Sequence, residues 1–255
     1  MARSDGRKND EARAIKIELG YLKYAEGSCL ITAGNTHVVC AATFDRRVPP
    51  FLVGSGQGWV TAEYGLLPRS TQQRTQREVA TGRPNSRSAE IRRFLGRSLR
   101  AVCDLFALGE TQIILDADVI QADGGTRTLS VTGCYCALAQ AVGVLLKERK
   151  IAKNPIIEAV AATSVGIVNG QILLDLAYDE DSQADTDMNL VMTESGRIVE
   201  IQSAAERIPF TFEEFQKMFE RARQEIEKTV KLQKQVLEPG GTVPQSGDSP
   251  GQAGK

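Results

Sequence analysis

A single histidine in 255 residues removes most nucleophilic and zinc chemistry at the outset. That residue, His37, lies inside an alternating strand pattern, Thr36-His37-Val38-Val39-Cys40, where an ordinary strand side chain is expected. A Ser-His-Asp triad or a closed zinc site would need more imidazole or paired thiolate than the chain offers. The five cysteines, Cys29, Cys40, Cys103, Cys134 and Cys136, are odd in number and scattered over apolar stripes. That is the pattern of buried reduced thiols rather than a disulfide framework. No sign of charge dominates: 31 basic residues stand against 32 acidic ones, so a polyanionic partner must be met by a local patch. No apolar run approaches the roughly 20 residues of a bilayer span. The first 16 residues are polar and mixed in charge, without the apolar centre of a signal peptide. A cytoplasmic chain with no membrane partner is the expectation. The P-loop spacing G-x-x-x-x-G-K-[ST] is also missing.

What the chain does contain is a regular alternation of element signals. Ile15 to Leu19 alternates as a strand. Cys29 to Thr32 and Thr36 to Ala41 flank a turn at Ala33-Gly34-Asn35, and Gly58 to Tyr64 is a further strand. Ile91, Leu95, Leu99, Val102 and Phe106 recur at helical spacing between Ser86 and Phe106. A central strand around Ile114 to Ile120 leads into a small-residue helix from Ser130 to Lys147. A second hairpin, Ala162 to Val168 and Gln171 to Tyr178, turns at Asn169-Gly170. A third pairs Met188 to Thr193 with Arg197 to Gln202. Phe212 to Gln233 closes the fold as an amphipathic helix, opened by the capping box Thr211 to Glu214. Strands, helix, strand, helix, strands, helix is an α+β or mixed α/β layer order, expected as one domain over residues 1–236. From Leu237 to Lys255 the sequence is rich in Pro, Gly, Ser and Gln without apolar period, the composition of a disordered tail.

Three polar segments carry the functional reading. Asp123-Gly124-Gly125-Thr126-Arg127 joins the central strand to the following helix. Glycines let backbone approach a ligand, helix-start amides point at it, and an arginine adds a forked charge, which together make an oxyanion pocket. From Arg69 to Arg100 there are nine arginines and no lysine against Glu78 and Glu90, a local excess of seven (nine minus two). Guanidinium groups contact phosphates bidentately and stack on bases, and the loop from Pro68 to Arg83 adds hydroxyl and amide donors. A solvated helix face with a flexible loop would leave the same trace. Arg87 stands apart, because a cation at a helix start opposes the macrodipole and suggests an anionic ligand. Finally, Asp179 to Asp187 holds four aspartates and a glutamate. It is either an acidic surface turn or a metal site. It is not an EF-hand, since Ala184 and Leu190 occupy the positions that need Gly and Glu. A pair of carboxylates suits Mg²⁺, which keeps its waters and is completed by substrate phosphates. Anion pocket, arginine grip and carboxylates are the parts of phosphoryl transfer on a nucleic acid.

At this point several blocks become recognisable in their order: Gly56 to Gly65, Leu67-Pro68-Arg69-Ser70-Thr71, Gln121 to Thr128, Ser164 to Gly170, and Thr186-Asp187-Met188-Asn189. The chain resembles the bacterial ribonuclease PH family from about Arg7 to Gln233. The resemblance implies that family's fold, with hairpins and helices packed on mixed sheets. It also implies phosphate-dependent 3′→5′ exoribonuclease activity on transfer-RNA precursors, releasing nucleoside diphosphates reversibly. It implies phosphate binding by Arg87, Gly125, Thr126 and Arg127, Mg²⁺ association by Asp181 and Asp187, and RNA contact by Arg69, Arg74 and Arg77. It implies a homohexamer built as a trimer of dimers. The competing reading is a catalytically silent RNA-binding subunit of a ring, which has no chemical reason to keep Arg127 and Asp187.

Overall fold

The computed structural model describes residues 3–77, 82 and 85–238. Two sheets flank one helix. The first sheet contains β1 (Ile15–Leu19), β2 (Gly27–Ala33), β3 (Thr36–Asp45), β4 (Trp59–Leu66) and β5 (Gln112–Gln121), in the order β1-β2-β3-β5-β4. Its pairs are antiparallel except β4 with β5, which run parallel because helix α1 (Ser86–Arg100) intervenes as a crossover. The second sheet is antiparallel, β7-β6-β8-β9, from β6 (Val160–Val168), β7 (Gln171–Leu174), β8 (Thr186–Thr193) and β9 (Ile198–Ala205). This is the mixed α/β layering expected from the element order.

Helix α3 (Thr126–Lys147) is the hub, packing on β2 and β3 of one sheet and β6 of the other. Fifteen of its 22 residues are buried, which explains why its sequence is small and apolar all round instead of striped. A side-chain carbon at Gly133 would come within 2.6 Å of Ile31 and 2.7 Å of Cys40, so glycine is what lets helix and sheet lie this close. By length and composition alone this helix could cross a membrane, whereas here most of its surface is inside the protein. Read residue by residue, its Thr, Ser and Gln conceal the run that its overall hydropathy reveals. One continuous apolar core extends from Ile17 through Leu138 and Met192 to Val236. All five cysteines are free and buried, as their placement on apolar stripes implies.

Several boundaries differ from the sequence expectation. The helix expected to reach Phe106 stops at Arg100. Val102 and Cys103 donate to carbonyls three residues back, and the Asp104 side chain then caps a separate helix α2 (Leu105–Leu108) by accepting from Phe106 and Ala107. Phe106, expected in the core, is 66% exposed. Helix α3 begins at Thr126, four residues before the expected start, which puts Thr126 and Arg127 in its first turn. Strand β7 ends at Leu174 instead of Tyr178, because Asp175 turns into the left-handed region (φ 51°) and Tyr178 opens the short helix α4 (Tyr178–Asp181). The last helix, α5 (Phe212–Leu237), carries the capping box in both directions and continues past Gln233, with Leu237 packed on the core instead of starting a tail. The remainder of the expected tail, 239–255, lies outside the described residues, as do Glu78 and Arg83.

Candidate active site

The Asp123-Gly124-Gly125 loop, expected to bind an oxyanion, is shaped by two consecutive left-handed glycines, Gly124 (φ 75°) and Gly125 (φ 64°). Any side chain at position 124 would collide with the Leu176 carbonyl, so the loop can approach the β7–α4 connection only as glycine. Gly125 is the N-cap of α3, and the helical ladder begins with Leu129 N–H donating to the Gly125 carbonyl. The amides of Thr126, Arg127 and Thr128 precede that first bond and form the positive end of a long helix dipole. Thr126 is buried, and its Oγ1 accepts from the Tyr64 hydroxyl at 2.9 Å. Burial pushes the Tyr64 phenol up, against Thr126, Arg87 and Arg127, which pull it down. The phenol therefore remains a protonated donor that aims Thr126.

Arg127 extends from the first turn of α3 and is only 18% exposed. Its Nη1 donates to Glu90 Oε1 at 2.8 Å and to Gln202 Oε1 at 2.5 Å. Glu90 lies on α1 and Gln202 on β9, so three separate elements converge on one guanidinium. Arg87 sits in the first turn of α1, its amide capped by Asn85 Oδ1 at 2.9 Å. Arg87 is an exposed cation at a helix start, close enough to Tyr64 and Asp181 to act on both.

The acidic segment splits into two placements. Asp181 closes α4, and Asp187 lies on β8 opposite Gly166 and Ala204. Loss of hydration raises the Asp181 carboxyl above its ordinary range, offset by Arg87 and Arg127 and reinforced by Glu206. The Asp187 carboxyl is raised by burial first, then by Asp181 and Glu206, with Arg127 opposing. Arg87 and Arg127 thus act on Asp181, and Arg127 and Asp181 act on Asp187, although the four come from α1, α3, α4 and β8. Neither aspartate forms an ion pair with Arg or Lys among the described residues. Two partly desolvated carboxylates that repel each other fit a hydrated divalent cation. Among the described residues no set of three acidic, histidine or cysteine side chains could hold a metal by itself, so a cation here would rely on water or substrate oxygens.

The arginine loop is more ordered at its base than its composition suggests. Thr75 N–H donates to the Pro68 carbonyl at 2.9 Å, and Ala122 N–H donates to the Ser70 carbonyl at 2.8 Å, next to the Asp123 turn. Arg69 bonds the Gln72 carbonyl, while Arg74 and Arg77 project as exposed side chains. The loop is therefore tied to the end of β5 that leads into the Asp123-Gly124-Gly125 turn.

Sequence reasoning did not find Tyr64, Glu90, Gln202 or the acidic Glu206. Tyr64 falls within the Gly56 to Gly65 block, which does not indicate its partner, and Glu90, Gln202 and Glu206 belong to no local motif. Their signal is purely spatial, from strands and helices whose pairing decides what they face. It also missed the N-terminal arginines: Arg3 is buried and grips Glu180 through Nε and Nη2, each at 2.7 Å, beside Asp181.

Fold and site together define a two-sheet α/β protein in which a double-glycine helix start and two arginines share an electrostatic neighbourhood with paired carboxylates. Comparison with known proteins makes the assignment specific. The chain matches the 3′ exoribonuclease family, domain 1, over residues 11–142 and the same family's domain 2 over residues 158–225. It is 52% identical over 237 residues to ribonuclease PH of Moorella thermoacetica, covering 93% of this chain and 95% of that one. To ribonuclease PH of Neisseria meningitidis it is 54% identical over 228 residues, 89% and 94% of the two chains. Rice Rrp46 shares the fold at a TM-score of 0.74 and 18% identity, covering 92% of this chain and all of that one. The Archaeoglobus fulgidus exosome with RNA bound to its active site also reaches 0.74, at 21% identity, covering 89% and 90%. The chain belongs to the 3′ exoribonuclease family, in its ribonuclease PH branch.

Proposed function

We propose that this chain shortens RNA from the 3′ end by phosphorolysis, inorganic phosphate attacking the terminal linkage and a nucleoside diphosphate leaving. Exoribonuclease activity follows from family membership. The observation that supports phosphate as nucleophile is the electrostatic coupling of Arg87 and Arg127 to Asp181, and of Arg127 to Asp187, beside the helix start at Thr126. In this reading the α3 amides, Thr126 Oγ1 and the Arg127 fork bind phosphate and orient one oxygen toward the scissile phosphorus. Arg87 neutralises the repulsion between two anions brought together. Asp181 and Asp187 would hold Mg²⁺, which supplies charge stabilisation at the scissile phosphate. No side-chain base is needed, since phosphate is already anionic at neutral pH, and the chain's single histidine lies elsewhere, on β3.

Arg69, Arg74 and Arg77 would carry the body of the RNA, with transfer-RNA precursors as the substrate class, in the cytoplasm and in a homohexamer arranged as a trimer of dimers. The decisive test is incubation with 3′-extended tRNA and Mg²⁺, with and without phosphate. Shortening that requires phosphate and yields diphosphates is expected, whereas equal shortening without phosphate, yielding monophosphates, would refute phosphorolysis. A silent ring subunit would show RNA binding and neither product.

A further inference from the structure

Arg13 makes six side-chain hydrogen bonds beside the site, and no step proposed above uses it. It is buried, and its guanidinium meets Asp175 twice, Nε to Oδ2 at 2.8 Å and Nη2 to Oδ1 at 2.6 Å, while its own amide donates to Oδ2 at 2.9 Å. The other side of the fork reaches the oxyanion loop: Nη1 donates to the Asp123 carbonyl at 2.5 Å and Nη2 to the Gly124 carbonyl at 3.5 Å. Thr36, fully buried at the start of β3, completes the arrangement. Its Oγ1 donates to the Gly124 carbonyl at 2.7 Å and accepts from Asp123 N–H at 3.0 Å. Nη1 also lies 3.3 Å from that hydroxyl.

Asp175 itself is informative. It holds φ 51°, a conformation that glycine adopts without cost and that a side-chain-bearing residue adopts only under constraint. Its backbone carbonyl accepts from Arg3 Nη2 at 3.0 Å, and Arg3 also clamps Glu180, the neighbour of Asp181. Burial alone would push the Asp175 carboxyl up and the Arg13 guanidinium down. Their mutual bonding outweighs it, so both stay charged. The buried pair therefore bonds the turn that precedes Thr126 directly, and it reaches the segment that carries Asp181 through Arg13 Nη2 to the Leu176 carbonyl at 3.4 Å and through Arg3. The two halves of the site otherwise come from different sheets.

We propose that Arg13, clamped by Asp175 and assisted by Thr36, is a positioning residue that holds the Asp123-Gly124-Gly125 turn in register with the Asp181 segment and thereby sets phosphate affinity. The proposal rests on the reading of Gly125-Thr126-Arg127 as the phosphate site. Arg13 touches no reacting atom. Its effect passes through carbonyls whose orientation fixes where the following amides point. Lysine keeps the charge but cannot bridge Asp175 and the loop carbonyls at once. Valine at position 36 keeps the shape and removes the one hydroxyl that bonds Gly124 and Asp123.

The test compares wild type with Arg13→Lys, Thr36→Val and Thr36→Ser. Four quantities are measured: the KM for phosphate and kcat in phosphorolysis, calorimetric binding of inorganic phosphate, RNA affinity without phosphate, and thermal stability. Phosphate KM and Kd are expected to rise about tenfold or more in Arg13→Lys and about threefold in Thr36→Val, with Thr36→Ser near wild type and RNA affinity within about twofold throughout. A merely structural role would lower Tm while leaving the phosphate constants of the folded protein unchanged, and that result overturns the proposal. If Arg13→Lys fails to fold, the Thr36 pair decides alone, by the same criterion. A wild type that neither binds nor needs phosphate would instead refute the reading of the site, a result visible before any variant is made.

Discussion

Arg127→Ala is the perturbation whose consequences the structure constrains best. The side chain is mostly sheltered, and its bonds to Glu90 and Gln202 hold it between α1 and β9 beside the first turn of α3. In the phosphorolytic reading it contributes at least one charge-assisted hydrogen bond to phosphate, worth about 1.5–3 kcal/mol, or about one to two decades in kcat/KM for phosphate. The stability cost should be far smaller. The Glu90 partner is about half exposed, so that ion pair is worth at most about 1 kcal/mol. Removing a cation from the first turn of α3 returns a few tenths of a kcal/mol through the helix dipole, roughly. The net change is therefore within about 1 kcal/mol, which moves Tm by about 2–4 °C in a domain of this size. Phosphate titrations of RNA shortening, with diphosphate quantified by chromatography, measure the first effect, and thermal unfolding measures the second. Arg127→Lys should fall between wild type and alanine, since it keeps the charge and loses the fork. Unchanged phosphate dependence in a folded Arg127→Ala protein would refute the assignment. A large drop in Tm with proportional loss of every activity would show that the residue is structural.

Arg87→Ala should lower turnover by a similar factor with the fold intact, since its side chain is exposed; normal phosphorolysis would remove it from the site. Asp181→Asn and Asp187→Asn should weaken Mg²⁺ dependence and lower turnover, yet leave Tm at neutral pH unchanged or higher. Both carboxyls are raised by burial, and Asp187 also by repulsion from Asp181. A carboxyl whose folded pKa lies above its unfolded one penalises the fold at neutral pH, and the penalty fades as pH falls through the raised value. Metal-free melts of both variants at neutral and acidic pH check this, and a marked Tm loss at neutral pH would contradict it. Replacing Arg69, Arg74 and Arg77 together by alanine should weaken tRNA binding and flatten its salt dependence by up to about 0.7–0.9 for each phosphate that is no longer neutralised. Very short oligonucleotides should be affected less, and equal weakening on short and long RNA would argue against an RNA grip. Deletion of 239–255 should leave activity and melting nearly unchanged, since its composition cannot repay the entropy of ordering; a substantial loss of either would mean that the segment docks.

The elements legible in the sequence were those set by local chemistry. Asn169-Gly170 turns its hairpin with both residues at positive φ, and Thr211 with Glu214 caps the last helix; each is decided within a few residues. The double glycine before Thr126 likewise announced a tight strand-to-helix turn, and the blocks from Gly56 to Gly65, around Arg127 and around Asp187 were sufficient to mark the family. What only tertiary structure decided was which elements meet. Nothing near Arg13 in the chain indicates Asp175, 162 residues away, and nothing near Tyr64 indicates Thr126. Helical spacing could not foresee that Asp104 would cap a new helix and leave Phe106 in solvent. Strand propensity could not foresee that Asp175 would leave β7 to grip an arginine. Periodicity records which face of an element is buried, but the partner on that face is chosen by packing and by the need to pair each buried charge. The site therefore had a readable inventory, while its geometry came from two sheets closing on one helix.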